Sequence, residues 1–577
     1  MHINLKPMTM KKLFTLFVML HILCSEKTAG QYFEFDYAVM FANSNYNQGF
    51  RAQSLIDVTL VARNTDPLDI GIAAPYLLST GNFESPVWGK FDAGLNNTLC
   101  GGSLTGTDNV FIFDSDVSAL GSTLITGHYT GSVTVNANTY TCGGGGTCGF
   151  AAVIDPQCQV TDFLKLEGTQ SITINKARWD GSDMLLGIRY QGSFTNWGAT
   201  FNAAGSSDAA LAKVSSLTGP SATLSYFSGN GGETVQSINP DGNFVYTSLL
   251  VTPPAGPVTM TYPGGTQTLN LSSRTNSNEL LVLDNNLTYQ SHVVIGSNSG
   301  PFEIKSYYKF TGGFYIGGTM NYAELYPDPV NTSFSIAKQP IQSMIISKYD
   351  AGMNYVGSWC NDNESILHSF NYENILGYPA WLAAGQENLA NKQQDGQKSS
   401  LVSAHGVVYI FDDALHVIDS LVIGSPPGGD GFCMFFDADL DASGSMYVTG
   451  FFNDSIDLDP DTANQFILAG TFGGYGDIVL AKYDASALGI PQPGRAGEIS
   501  IFPNPFSSVI TVSLNDPVPS VYEITVTDLT GRKIYARSFS ARAQLKTTIN
   551  LESFSSGVYL LEAKSANSTR VRKIIRQ

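Results

Sequence analysis

Charge is what this 577-residue chain has least of: Asp, Glu, Lys and Arg together make up 14%. Cations are the scarcer half, 31 Lys+Arg against 49 Asp+Glu, for a net −18. A surface for nucleic acid or for an anionic bilayer needs a basic patch, so neither partner is expected. Long apolar runs are missing too. No stretch reaches the ~18 residues of a spanning helix, and no transmembrane segment is expected. Histidines number seven, and none stands in an HExxH. There is no GxSxG elbow, no Walker loop and no GxGxxG between a strand and a helix, so several common enzyme chemistries lack their residues. The remainder is still a folding chain, because 43% of residues are apolar and 11% aromatic, enough for a large core. At this length more than one domain is expected, and the 58 glycines suit tight turns between short strands.

Two phrases recur along the chain. One is a short apolar strand ending in Asp or a turn residue, reached at Asp92, Asp155, Ser215, Asp284, Asp350, Asp412 and Asp484, at intervals of 63, 60, 69, 66, 62 and 72 residues. The other precedes it each time, as in TLITGHY near Gly127, MLLGIRY near Gly187 and MYVTGFF near Gly450. Phrases that keep step seven times define a repeat. Each unit holds about four runs rich in Val, Ile, Tyr, Phe and Leu, separated by Gly, Asn, Asp and Pro. One such four-stranded sheet cannot bury both faces alone. Radial stacking buries them, which predicts a seven-bladed β-propeller over residues 31–486. The last unit, FDADLDASGSMYVTGFF, DLDPD and GGYGDIVLAKYDASA, resembles the β-propeller repeat of bacterial surface proteins. The strand after each Asp phrase is expected to be outermost in its blade. The last unit lacks one, and Phe33–Phe41 is an orphan strand, so the two are expected to pair and close the ring.

The ends read as addresses. Lys11-Lys12, the apolar run Leu13–Leu23 and the small residues Thr28-Ala29-Gly30 predict a signal peptide over residues 1–30, cleaved before Gln31. Beyond it six cysteines remain, and an oxidising compartment permits disulfides. Cys142-GGGGT-Cys148 can close a short loop, while Cys360 and Cys433 read as small apolar core residues. At the other end a Pro/Gly join (487–497) leads into residues 498–577. Their Phe502-Pro503-Asn504-Pro505 start, Asp528-Leu529-Thr530-Gly531-Arg532 turn, Ser556-Gly557-Val558-Tyr559-Leu560 strand and Lys573-Ile574-Ile575 end closely resemble the C-terminal sorting domain of type IX secretion cargo in Gram-negative bacteria. The resemblance implies an immunoglobulin-like β-sandwich, handling by the type IX machinery, passage across the outer membrane, and removal of the tail. Charge agrees: from Arg495 onward 11 Lys+Arg face 6 Asp+Glu, so the tail is +5 on a body of −23.

Chemistry-bearing clusters are few. Asp437-Ala438-Asp439-Leu440-Asp441 with Gly444 alternates carboxylates as a Ca²⁺ loop does. The sixth position is Ala442 and the twelfth Val448, however, so a hairpin turn is favoured over a metal site. Asp457, Asp459 and Asp461 alternate likewise and read as a structural loop. His128, His292, His368, His405 and His416 are scattered over different units. Trp88, Trp179, Trp197, Trp359 and Trp381 could stack on sugars but read first as wedges between blades. No catalytic residue and no cofactor is assigned, with Ca²⁺ the one candidate ion. The expected product is a secreted or cell-surface binding scaffold with glycan or protein partners. The rivals are a hydrolase or lyase with its site in the propeller mouth, and a structural adhesin.

Overall fold

The computed structural model describes residues 34–484 and 499–576 apart from short internal segments, the longest being 389–403. The signal-peptide and Pro/Gly-join assignments lie outside the described residues. Every regular element among those described is a strand. Contacts divide the chain into two compact units, Phe33–Gln492 and a second that contains Pro493–Gln577.

In the first unit seven antiparallel sheets of four core strands follow one another along the chain. Their innermost strands are Gln48–Ser54, Val110–Val117, Ile172–Asp180, Gly232–Pro240, Phe302–Phe310, Glu364–Ile375 and Phe432–Leu440. Each of these packs on the sheet before it, and Gln48–Ser54 packs on the last sheet. The stack therefore returns on itself as a β-propeller, with the sheets as blades one to seven. Its core consists of apolar layers between consecutive blades. Leu124, Ala151 and Leu164 of blade two, for example, meet Ile174, Leu186 and Ala210 of blade three. Such layering buries both faces of a sheet that alternation alone would leave half exposed.

The orphan strand does close the ring. Glu34–Phe41 pairs antiparallel with Asp477–Asp484, from Glu34 opposite Asp484 to Phe41 opposite Ile478. It is the outermost strand of blade seven, and Lys482 Nζ reaches Asp36 Oδ2 at 2.9 Å.

The recurring Asp has a specific job in the hairpin between the third and fourth strands of a blade. The carboxylate of Asp284 accepts from the backbone N–H groups of Asn286 and Thr288, both at 2.9 Å. Asp155, Asp350 and Asp412 do the same two and four residues on. The third residue after each Asp has positive φ without being glycine: Leu95 50°, Cys158 65°, Leu287 58°, Met353 64° and Leu415 63°. A left-handed L-residue costs about 1–2 kcal/mol, offset here because Leu95, Cys158, Leu287 and Leu415 bury their side chains under the blade. Where the third repeat has Ser215 instead, Asp162 of blade two takes over, accepting from Leu217 N at 2.7 Å and Ser216 Oγ at 2.9 Å.

Small ribbons decorate the end of the propeller where the innermost strands begin. Among the described residues, six blades carry one between their second and third strands. The ribbon of blade four (Val258–Tyr262, Gly265–Leu269) adds to the outer edge of blade three, and that of blade five to blade four. Covering an open edge in this way prevents pairing with other chains. Two disulfides mark opposite ends of blade two: Cys142–Cys148 at the base of its ribbon, and Cys100–Cys158, which ties the outer strand of blade one to the Asp155 turn at the other end. Neither of these bridges includes Cys360 or Cys433; Cys433 is buried as expected, whereas Cys360 is only partly buried.

One buried acidic contact sits between blades three and four. Glu233 and Asp208 have no exposed surface, and two carboxyl groups attract only when one holds a proton. Burial first, and then Asp208, push the Glu233 carboxyl up to about 8. The folded protein therefore keeps a proton that the unfolded chain releases near pH 4.5, and this contribution to stability falls as pH rises from about 4.5 to 8. His128 and His368, held low, work in the opposite direction, but only below their ordinary value of 6.5. The expected result is a melting temperature that declines between pH 6.5 and 8 and a Glu233→Gln variant in which that decline is smaller. At one pKa unit per ~1.4 kcal/mol, the variant gains up to roughly 5 kcal/mol at pH 9. Parallel pH profiles for the two proteins would refute this.

The second unit is a two-sheet sandwich. Ile499–Phe502, Val509–Asn515 and Gln544–Asn550 form one sheet; Lys533–Ala541, Ser520–Asp528, Gly557–Lys564 and Thr569–Arg576 form the other. Ile510, Val512, Ile524, Val526, Leu561 and Ile574 fill the space between them. The motif residues have structural roles. Asp528 accepts from Arg532 N at 3.0 Å and Arg532 Nε at 3.1 Å, and Tyr559 OH donates to Ser555 O at 2.6 Å.

Candidate functional site

The innermost strands surround the axis, and each of the seven carries a register irregularity at the corresponding place. The residue left out of the ladder is Phe50, Phe113, Asn175, Gln236, Lys305, His368 and Phe436 in turn. A β-bulge inserts one residue and re-aims its side chain, so blades two to seven place six non-equivalent side chains at equivalent positions around the axis. Two residues earlier on each strand stands a second file: Gln48, Phe111, Thr173, Thr234, Glu303, Ile366 and Met434. Where side chains are described, both files are partly exposed while the residues between them are buried. In blades two to seven these partly exposed residues of the innermost strands are the ones placed to line the axis.

The lining has two arcs. Blades six, seven and two contribute Ile366, His368, Met434, Phe436, Phe111 and Phe113; blades three to five contribute Thr173, Asn175, Thr234, Gln236, Glu303 and Lys305. On the first arc a cluster of edge-on and tilted rings holds Phe113. The Arg63 guanidinium, paired with Glu84 at 3.3 Å, lies 5.2 Å over Phe111. Phe111 meets the His128 ring at 5.1 Å, and His128 meets Phe113 at 5.0 Å. His128 Nδ1 is 3.3 Å from Thr173 Oγ1. Burial, then Arg63, push this imidazole down to about 4, so it is neutral at pH 7. Phe113 remains 45% exposed. Further round, His368 lies 4.8 Å from Phe436; burial and Lys305 hold it down at about 3.

Several polar groups on the innermost strands are engaged with the neighbouring blade. Asn175 Nδ2 donates to Val235 O. Gln236 accepts from Ile304 N at 3.2 Å and donates to Phe302 O at 3.5 Å. Asn239 Nδ2 donates to Tyr307 O at 2.9 Å. The carboxylates are used likewise. Asp114 takes Ala177 N at 3.1 Å and Arg178 Nη1 at 2.7 Å, and Asp116 takes Trp179 N at 2.8 Å. An innermost strand has a ladder partner on one side only, and these bonds satisfy backbone groups on the next such strand.

Asp437 and Asp439 lie within the last innermost strand, opposite Thr449 and Tyr447, so the strand continues to Leu440 rather than ending at Asp437. Asp437 Oδ1 accepts from Asn371 Nδ2 at 2.9 Å. Asp441 organises the following hairpin, accepting from Ser445 N at 2.9 Å and Tyr447 OH at 3.2 Å, with Gly444 at φ 85°. Among the described residues, the group of three or more potential ligands within 4.8 Å of one another is Cys142, Cys148 and Glu167, and its two cysteines form a disulfide. Saturating chelator is therefore expected to leave the melting temperature of the purified protein unchanged; a drop of several degrees would restore a Ca²⁺ cage at Asp437, Asp439 and Asp441. Asp461 lies outside the described residues. Among the described histidines, His128 and His368 meet the ring of innermost-strand side chains. His416 is exposed on Asp412 at 3.1 Å, and His292 faces Glu279 at 3.8 Å on blade four. Trp88 and Trp381 are buried, whereas Trp179, Trp197 and Trp359 are partly exposed.

A signal for the bulge ring was present in the sequence. FIFD, TINK, TVQS, EIKS, ILHS and MFFD form a third phrase with the same period, an apolar residue, the bulged residue, then Asp, Lys or Ser. Its variable middle position hides it from a search for recurring residues.

The chain thus joins an axial-channel β-propeller to a small sandwich. Residues 500–577 match the family described as "Secretion system C-terminal sorting domain", and this tail is a type IX sorting domain that directs the protein to the cell surface or beyond. No helix among the described residues is long and apolar enough to cross a membrane. No curated protein matches the chain. Among solved structures it is similar to the subtype N10 neuraminidase-like protein of A/little yellow-shouldered bat/Guatemala/060/2010, at 10% identity and TM-score 0.29, covering 65% of this chain and 96% of that one. It is also similar to dihydro-heme d1 dehydrogenase NirN in complex with DHE, at 10% identity and TM-score 0.31, covering 66% and 73%. Dimeric latent PorU from Porphyromonas gingivalis matches at 11% identity and TM-score 0.13, over 60% and 33%.

Proposed function

We propose that this exported protein is a non-enzymatic binding scaffold whose axial channel presents a ligand surface to glycan or protein partners. The observation that supports this reading is the composition of the channel: an aromatic arc faces a polar arc, and Asp114, Asp116 and Asp437 are engaged in holding neighbouring blades together. A hydrolase needs an acid and a base free to exchange protons at one place; an amphipathic lining suits recognition. The test is to screen the exported protein on a glycan array and against partner-cell surface proteins, then repeat with Phe113→Ala and Lys305→Ala. Retention on specific spots that both substitutions weaken at least tenfold is the expected result. Turnover of a glycoside or ester that these substitutions abolish would make the protein an enzyme. Adhesion that neither substitution changes would make it a structural adhesin.

A further inference from the structure

We propose that the ligand of the axial channel is a sugar ring stacked on Phe113, and that an extended peptide is excluded there; this rests on the channel being the binding site. Two independent observations carry it. The first is the platform. Phe113 is the ring of the Arg63–Phe111–His128–Phe113 cluster left 45% exposed. A neutral imidazole touches it at a tilt of 51°, so an exposed apolar ring is held in place before any ligand arrives. A pyranose presents C–H groups on one face and hydroxyls round its rim, and the C–H face suits an aromatic ring. Three blades further round the ring, Glu303 Oε2 and Lys305 Nζ form a pair at 3.4 Å. Both groups are partly exposed and offer an acceptor and a donor for rim hydroxyls.

The second observation concerns peptides. An extended chain can bind a sheet by adding to an open strand edge. Here side chains of one blade already bond backbone groups of the next innermost strand, at Val235, Phe302, Ile304 and Tyr307 on the polar arc and at Ala177 and Trp179 beside it. A peptide would have to displace each of them. Side-chain recognition of a compact ligand needs none displaced.

The test uses the full chain and saturation-transfer NMR with two probes: a panel of methyl glycosides (glucoside, galactoside, mannoside, fucoside and N-acetylglucosaminide), and a pool of unstructured decapeptides. The expected result is saturation of at least one glycoside, concentrated on the protons of one ring face, with affinity at least tenfold weaker in Phe113→Ala and kept in Phe113→Trp. Because Phe113 is partly exposed, unchanged melting of Phe113→Ala checks that the fold survives. Decapeptide binding that depends on Phe113, without glycoside binding, would overturn the sugar assignment while leaving the channel as the site. Glycoside binding indifferent to Phe113→Ala but lost in Lys305→Ala would overturn the stacking while keeping the channel. No binding of either probe would overturn the proposal, and ligands found by array that ignore both substitutions would remove the channel reading as well.

Discussion

A chain lacking residues 34–41 is expected to melt far below the full-length protein and to aggregate. The segment is terminal in sequence but interior to the ring's closure. Seven residue pairs link it to Asp477–Asp484, Ala38 is buried in the layer that contains Val479 and Ala481, and Asp36 holds Lys482. At a net ~1 kcal/mol for each backbone hydrogen bond lost, the deletion costs on the order of 5 kcal/mol, a large share of the stability of an ordinary domain. It also uncovers a long flat edge on blade seven, the kind that pairs with other chains. Ala38→Asp tests the same point with the strand present, because it forces a charge into that layer. Differential scanning calorimetry together with light scattering reads both effects. Melting temperatures within two or three degrees of the full chain for both variants would mean that the ring closes without this strand.

Truncation before Glu498 is expected to abolish appearance at the cell surface while leaving a folded propeller in the periplasm. Phe33–Gln492 and the tail are separate compact units, and the tail has its own apolar centre, so each unit is expected to fold on its own core. What it withdraws is the sorting domain at 500–577. Fractionation with an antibody to the propeller, alongside limited proteolysis for folding, measures the two halves of the claim. The natural product is expected to run from Gln31 to a cleavage point between residues 485 and 497, read by mass spectrometry of the exported form. Normal export of the truncated chain would make the tail an accessory domain.

The parts of this protein legible in its sequence were those that repeat or that follow local chain geometry. The Asp at most strand ends was visible because the hairpin is held by one carboxylate accepting from the N–H groups two and four residues on, a short-range need that keeps Asp at a fixed place in the repeat. The Phe33–Phe41 pairing was legible from counting strands, since an unpaired edge at one end and a missing strand at the other have one economical solution. For Cys142–Cys148 the six-residue separation permitted a short loop, and the structure shows the bridge formed. The bond from Cys100 to Cys158 was not legible, because it spans two blades and depends on where the Asp155 turn meets the outer strand of blade one.

The channel divides along the same line. Strand period, blade count and export address are short-range properties: alternation, turn chemistry and a contiguous tail determined them in the sequence itself. Which side chains meet at the axis is decided only by closure. Phe113, Lys305 and Phe436 are separated by 192 and 131 residues, and nothing local relates them. They come to share one ring because a bulge at the same place in each innermost strand turns one residue per blade toward the same axis, a geometry that exists only once the seventh sheet packs on the first.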